Sequence, residues 1–557
     1  MANSSGAIQR ITKELRHLQK GDDLSLAVAC NDSDVRSVRA LIIGPPETPY
    51  EYGFFEFDIK FPRDYPNHPP SVKCRTTNGG RCRFNPNIYA EGKVCLSILG
   101  TWRGEKGEEW SSAQGLESVL LSIQSLMSSN PYENEPGFED QPKDGALPKA
   151  YVAKIRHETL RVSVLQRLES LLQMETEGGT DSPRRGSKRP FSAYAGAEDS
   201  DYESEDEDND DDSDGPMFLD SDSAAPKFAS TPTHMPKQPS ATSVPNAPLP
   251  VSKQPSATSA PASISSMTNQ PSLATDNATT TGKGSVFTKI KPGNPKVYKY
   301  NAEDTYAAME PPWDPFTDLL KRRFLWYYDS YLAAIDAAAK EQLDGKPFAR
   351  MEFEYPPNSM EGNFHYKSIC ARFENIRKKL DEECDSWVRQ GKQQVDRDTQ
   401  LATQLFFQVD QLKYKFDNTA TESGLKLDIS LEDKKNPFRW HITLFGSSST
   451  NLDGGVFNMS LTIPPTFPDS QPRVHVETPV FHHRVGSTGV LCYFPEKPEE
   501  IGSHLQAIGA AFADSSPRYD PRAIVNPEAA ALFWGGDDKR KIYNRKLRRS
   551  AQDSSEF

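Results

Sequence analysis

Between Phe55 and Lys60 apolar and charged residues alternate, with Phe55, Phe57 and Ile59 set against Glu56, Asp58 and Lys60. A period of two predicts a strand with one buried face. Prolines 62, 66, 69 and 70 follow and block further sheet pairing. Other stretches carry helical spacing. At the chain start Ile8, Ile11, Leu15 and Leu18 share one face of an amphipathic helix, with Arg10 and Lys13 on its polar side. Leu116, Val119, Leu120, Ile123 and Met127 mark a second helix. From Pro312 to Lys392 two longer helices are expected. Phe316, Leu319, Leu320, Phe324, Tyr327, Tyr328 and Tyr331 lie on one, and Tyr366, Ile369, Phe373, Ile376 and Leu380 on the other. These aromatics read as core, in a helical hairpin packed on one of two neighbouring folds. Leu401 to Phe416 reads as either strand or helix.

The strand pattern occurs twice. Trp440 to Thr478 can be laid on Val38 to Thr76 without a gap, pairing Gly446 with Gly44, Phe457 with Phe55, Pro464 with Pro62 and Pro472 with Pro70. The same period and the same proline spacing predict the same fold. The fold class expected is α+β, with two similar domains, each an antiparallel four-stranded sheet flanked by helices.

Composition separates these domains. From about Glu175 to Ser285 there is no sustained apolar periodicity. Ser, Thr, Pro, Ala and Asn dominate, and KQPSATS appears twice, at Lys237 and Lys253. This reads as a disordered linker. The expected division is residues 1–174, a catalytic domain; 175–290, the acidic and Pro-Ser-Thr-rich linker; 291–395, a helical segment; and 396–557, a second, degenerate domain. Within the linker, Glu198 to Asp214 holds twelve acidic residues and no basic ones, close to the whole net charge of −13. The remainder is near neutral, which argues against nucleic-acid binding. Ser200 and Ser204 precede acidic residues and read as phosphorylation sites. Pro183 to Pro190 (PRRGSKRP) reads either as a nuclear-import signal or as a charged linker. Seven scattered cysteines, no paired CxxC and no secretory signal favour a reducing compartment, the cytoplasm, with the nucleus open to that basic cluster. No metal site or cofactor is expected, and no apolar run reaches membrane-spanning length.

The chemistry concentrates in Arg83 to Leu99, RFNPNIYAEGKVCLSIL. Cys95 stands eight residues after Asn87, the last residue of an Asn85-Pro86-Asn87 turn, and Gly92, Val94 and Leu96 frame the thiol. This resembles the active-site signature of the ubiquitin-conjugating enzymes, with Asn85 where the family has His. The resemblance runs from the strand and Pro-rich crossover through the helix of Leu116 to SSNPYENEPGF. With the insert TWRGEKGEE and IRHETLRVSV, it points to the large type Z and apollon-like group of that family.

The resemblance implies an enzyme. Cys95 would take ubiquitin, or a ubiquitin-like protein, as a thioester from an activating enzyme and pass it to a lysine of a substrate. Asn87 would donate to an oxyanion or hold the loop beside the thiol; one such donor is typically worth ~3 kcal/mol of barrier. Glu135, just before Pro136, would be the family's acidic gate that helps deprotonate the lysine, its other reading being a solvated loop carboxylate. Asn85 and Pro86 complete the active-site loop. Arg10 and Lys13 occupy positions where basic residues dock the activating enzyme. A ligase is a further implied partner, although Asn67 and Ser112 stand where small members carry the residues that bind RING ligases. ATP is consumed by the activating enzyme, so no nucleotide loop is expected. The second copy has Cys492, but its turn reads His482-His483-Arg484 and no acidic residue clearly fills the gate, so it reads as a binding copy. Two other readings stand beside the enzyme: a scaffold in which both copies bind ubiquitin or a ligase without catalysis, and a redox cysteine, which would need a thiolate-stabilising Arg or His.

Overall fold

The computed structural model describes residues 2–174 and 313–556, apart from Asp22, Asp32, Arg103, Glu105, Lys106, residues 356–358 and residues 419–425. The linker, its acidic run, Ser200, Ser204, the PRRGSKRP cluster and residues 291–312 lie outside the described residues.

The first copy opens with α1 (Ala2–Lys20) and a meander of β1 (Leu26–Asn31), β2 (Asp34–Ile43), β3 (Phe54–Lys60) and β4 (Ser71–Cys74), antiparallel in that order. Val38, Ala40, Ile42, Phe55, Phe57 and Ile59 face one core with α2 (Leu116–Ser125) and the buried stripe of α1. That stripe is Ala7, Ile11 and Leu15, with Leu18 half-buried at its end. Ile8, expected on it, is 39% exposed, because the i, i+4, i+8 row that meets the sheet starts at Ala7.

The opposite face of the sheet is also covered. α3 (Ala146–Glu158) continues through a π-helical stretch, Thr159–Gln166, into α4 (Arg167–Leu171). Leu160 and Val164 cluster there with Leu41, Ile43 and Phe54. Glu56 departs from the predicted solvent face for the same reason. It is buried, with Arg167 hydrogen-bonded to its carboxylate and Arg39 at 3.5 Å.

The two expected long helices are α5 (Thr317–Lys340) and α6 (Tyr366–Asp396). They pack on both copies rather than on one, because α5 is apolar on more than one side. Phe324 and Tyr331 cluster with the outer sheet face of the first copy. Tyr327 stacks on Tyr52 at 4.1 Å and donates its hydroxyl to the Arg522 carbonyl of the second copy at 3.1 Å. Both copies belong to one compact unit with these helices.

Leu401 to Phe416 is helical, within α7 (Gln400–Asn418). The second meander follows: β5 (Lys426–Asp433), β6 (Asn436–Phe445), β7 (Val456–Thr462) and β8 (Arg473–Val476). Its register repeats the first. Trp440 pairs with Leu461 where Val38 pairs with Ile59, and Met459 with Val476 where Phe57 pairs with Cys74. The paired glycines explain part of this fidelity. A Cβ at Gly44 would lie 1.7 Å from the Tyr50 carbonyl oxygen, and one at Gly446 would lie 1.6 Å from that of Leu452. The copy closes with α8 (Ile501–Ala513), α9 (Pro527–Phe533) and α10 (Asp537–Asp553). Among the described residues no helix is long and apolar enough to cross a membrane.

Candidate active site

The loop after β4 turns at Gly92, whose φ is +97°. A Cβ there would sit 2.4 Å from the Cys74 carbonyl oxygen, so only glycine lets the loop lie on the strand end. This brings Cys95 back beside Asn87. The Cys95 amide donates to the Asn87 carbonyl at 2.8 Å, and the Asn87 side-chain amide donates to the Cys95 carbonyl at 3.0 Å. Asn87 thus holds the loop beside the thiol in this resting state. Cys95 is 4% exposed.

Asn85 is fully buried and uses both ends of its amide. Its Oδ1 accepts from the Asn87 backbone at 2.9 Å. Its Nδ2 donates to the Leu126 carbonyl at 2.8 Å and to the Tyr50 hydroxyl at 3.1 Å. Tyr50 in turn donates to the Phe84 carbonyl at 2.7 Å. Asn85 therefore ties the active-site loop to the end of α2, a buried polar network with its members satisfied.

Glu135 closes the 3-10 turn Pro131–Asn134. Its carboxylate accepts from Arg83 Nη2 at 3.2 Å. Burial pushes the carboxyl's pKa up, and the Arg83 charge and hydrogen bond pull against that rise. Arg83 escaped sequence reasoning, although it is the cation at the head of the motif. It is buried, donates to the Pro86 carbonyl, and lies 4.5 Å from the Tyr89 ring centre. Burial pushes the Tyr89 pKa up, and the Cys95, Arg83, Glu135 and Tyr355 groups act electrostatically on its hydroxyl in turn.

The two basic residues of α1 differ. Lys13 is exposed. Arg10 turns inward, hydrogen-bonding Glu14 and donating to the Gln114 carbonyl at 3.2 Å. Glu14 in turn accepts from the Leu116 amide at 2.9 Å, capping α2 from a neighbouring helix.

The second loop keeps the backbone of the first. Cys492 donates its amide to the Arg484 carbonyl at 2.9 Å, as Cys95 does to Asn87. Arg484 donates to His482 Nδ1 at 3.2 Å, as Asn87 does to Asn85. Gly489, with φ +79°, serves as Gly92 does. The surroundings differ. Cys492 is 0% exposed and clusters with Phe324 and Tyr327 of α5, and burial pushes its thiol pKa up to about 12. A thiol in such a setting stays protonated. Among the described residues no group of His, Cys, Asp and Glu side chains converges as metal ligands.

Residues 10–146 and 411–494 match the family model described as ubiquitin-conjugating enzyme. Similar proteins include Ubiquitin-conjugating enzyme E2 Z of Xenopus tropicalis, 50% identical over 170 residues, which are 30% of this chain and 53% of that protein. E2 Z of Homo sapiens is 51% identical over 160 residues, 29% of this chain and 44% of that protein. The human dual E2 ubiquitin-conjugating enzyme/E3 ubiquitin-protein ligase BIRC6 is 40% identical over 178 residues, 30% of this chain and 4% of that protein. The chain thus spans about half the length of the E2 Z relatives it matches. A solved ubiquitin conjugating enzyme E2 domain of Toxoplasma gondii has 29% identity, covers 28% of this chain and 97% of its own, and gives a TM-score of 0.22. Both matched segments of this chain belong to the ubiquitin-conjugating enzyme family, the first with its cysteine and asparagine joined and the second as a divergent copy whose cysteine is shut in.

Proposed function

We propose that the chain accepts ubiquitin or a ubiquitin-like protein from an activating enzyme on Cys95 and transfers it to a lysine of a protein substrate. The observation that carries this reading is the pair of hydrogen bonds locking Asn87 and Cys95 together. In charging, the Cys95 sulfur attacks the acyl carbon held on the activating enzyme, whose own thiolate leaves. In transfer, the lysine amine attacks the Cys95 thioester and forms a tetrahedral oxyanion. Asn87, whose amide can swing from the Cys95 carbonyl, donates to that oxyanion. Glu135 takes the proton the amine loses, and its raised pKa suits that task. The C–S bond then breaks and the Cys95 thiol is regenerated. The second copy acts as a non-catalytic binding and supporting domain, because Cys492 is covered by α5. Lys13, exposed on α1, serves activating-enzyme docking. Arg10 contributes to that surface through Glu14, its partner within the helix.

Charging with ubiquitin, activating enzyme and ATP tests the reading, using the full chain, Cys95→Ala and Cys492→Ala on non-reducing gels. A reductant-sensitive adduct is expected, lost in Cys95→Ala and kept in Cys492→Ala. Loss only in Cys492→Ala reverses the assignment. No adduct in any form, with ubiquitin or with ubiquitin-like proteins and their activating enzymes, leaves a scaffold.

A further inference from the structure

The connection between α5 and α6 reaches back to the first copy and builds part of the Cys95 site. Phe353 sits in a cage of aromatic rings, 5.4 Å from Tyr132, 5.6 Å from Phe138 and 5.4 Å from Tyr151. Tyr132 belongs to the 3-10 turn that ends at Glu135. The Phe353 carbonyl accepts from Arg83 Nη1 at 3.5 Å, and its ring lies 5.8 Å from that guanidinium. Beside it Glu354 is locked to Lys154 of α3, both carboxylate oxygens lying 2.6 Å from Nζ. That pair is 1% and 0% exposed. Lys154 also donates to the Ala349 carbonyl at 3.0 Å, and Arg350 to that of Glu354 at 3.0 Å. The connection is therefore anchored to the first copy by a buried ion pair. The next residue, Tyr355, is 61% exposed and within electrostatic reach of Tyr89.

Arg83 joins these parts. Its five donors fan out in a fixed fork. One branch reaches Phe353, and the other reaches both the Pro86 carbonyl of the Asn-Pro-Asn turn and the Glu135 carboxylate. We propose that the α5–α6 connection completes the Cys95 site in cis, with Phe353 seating Arg83 and Arg83 acting as the positioning residue that aims Glu135 at the incoming lysine. This rests on the transfer reaction proposed above. The half of the chain with the silent cysteine then contributes to catalysis at the other.

The test uses full-length Arg83→Met and Phe353→Ala, with the conservative Arg83→Lys and Phe353→Leu beside them. Each is charged with ubiquitin, chased, and discharged onto free lysine from about pH 6 to about pH 9. Without the Arg83 charge and hydrogen bond nothing opposes the upward push of burial on the Glu135 carboxyl, so Arg83→Met should discharge more slowly than wild type, with the deficit largest at the acid end and closing as pH rises. Arg83→Lys keeps the charge and should recover most of the rate. Phe353→Ala should follow Arg83→Met, and Phe353→Leu should fall between it and wild type. Amide hydrogen exchange at residues 85–89 and 131–135 should rise in Phe353→Ala, a readout that needs no chemistry. Wild-type discharge in the charged variants, or a deficit equal at every pH, overturns the proposal. Failure of the wild-type chain to charge overturns the function reading instead, and the exchange data still decide whether Phe353 orders the loop.

Discussion

The Lys154–Glu354 pair offers the sharpest energetic test of how the two halves of the chain are joined. Consider Lys154→Met, which keeps the length and apolar stem of the side chain and removes the charge. Glu354, 1% exposed, then faces the interior with a single neutral donor, the Met351 amide at 3.0 Å. Breaking a buried pair by removing one partner in this way typically costs ~3–5 kcal/mol.

Undocking of the connection is local, so the assay is hydrogen exchange over Met351–Tyr355, where ~4 kcal/mol corresponds to roughly a thousandfold faster opening. Lys154→Met with Glu354→Met should return most of the loss, since two apolar side chains fill the same space. A small effect of the single change, or a double variant as unstable as the single, would refute the reasoning.

Acid should unsettle the second copy before the first. Burial, with Arg484 nearby, pushes the His482 pKa down to about 3. The unfolded chain takes up that proton below about pH 6.5 and the folded one does not, so stability is lost between those values, about 2 kcal/mol of it by pH 5. His483, with His482, Arg484 and Arg540 around it, is depressed further and adds in the same direction. His482→Asn, which installs the residue of the first copy, should flatten the pH dependence of denaturant midpoints in the second copy; an unchanged slope would contradict the assignment. Gly92→Ala should lower stability by about 1–3 kcal/mol, because it needs both a positive φ and 2.4 Å of space against the Cys74 carbonyl. Thermal unfolding reads this, and a wild-type midpoint would mean that the loop relaxes at no cost.

Local periodicity carried the fold a long way. The strand alternation, the proline spacing and the gapless repeat foretold two sheets whose residue pairs correspond one to one. The Cys95–Asn87 spacing placed two groups that do share hydrogen bonds. The failures have a common cause: contacts made by distant segments. Glu56 alternates as a solvent residue should, yet Arg167 comes over it. Helical spacing admits Ile8 as readily as Ala7, and only the sheet beneath chooses. Asn85, seen as a departure from His, is a fully used buried amide whose partners lie on β3's approach and at the end of α2. The stretch around Phe353 has no period at all, so its packing against Tyr132 and Tyr151 had no local signal.

The two cysteines separate what the loop supplies from what its surroundings supply. Both loops fold alike, with the same amide-to-carbonyl bond into the turn and the same positive-φ glycine. The backbone alone therefore does not distinguish the two cysteines. Over Cys492 the aromatic side chains of α5 close the approach, and Arg484 fills the place of Asn87. Beside Cys95 the segment that leaves α5 packs through Phe353 on Tyr132, in the turn that ends at Glu135. One helical hairpin thus seals the site of the second copy and buttresses the site of the first. The second copy can hold α5 rigidly through contacts such as Ser487 to Asp329 and Arg473 to Asp318. That rigidity reaches Arg83 through the connection, so loosening α5 on the second copy should be felt at Cys95 without any change to the residues that surround it.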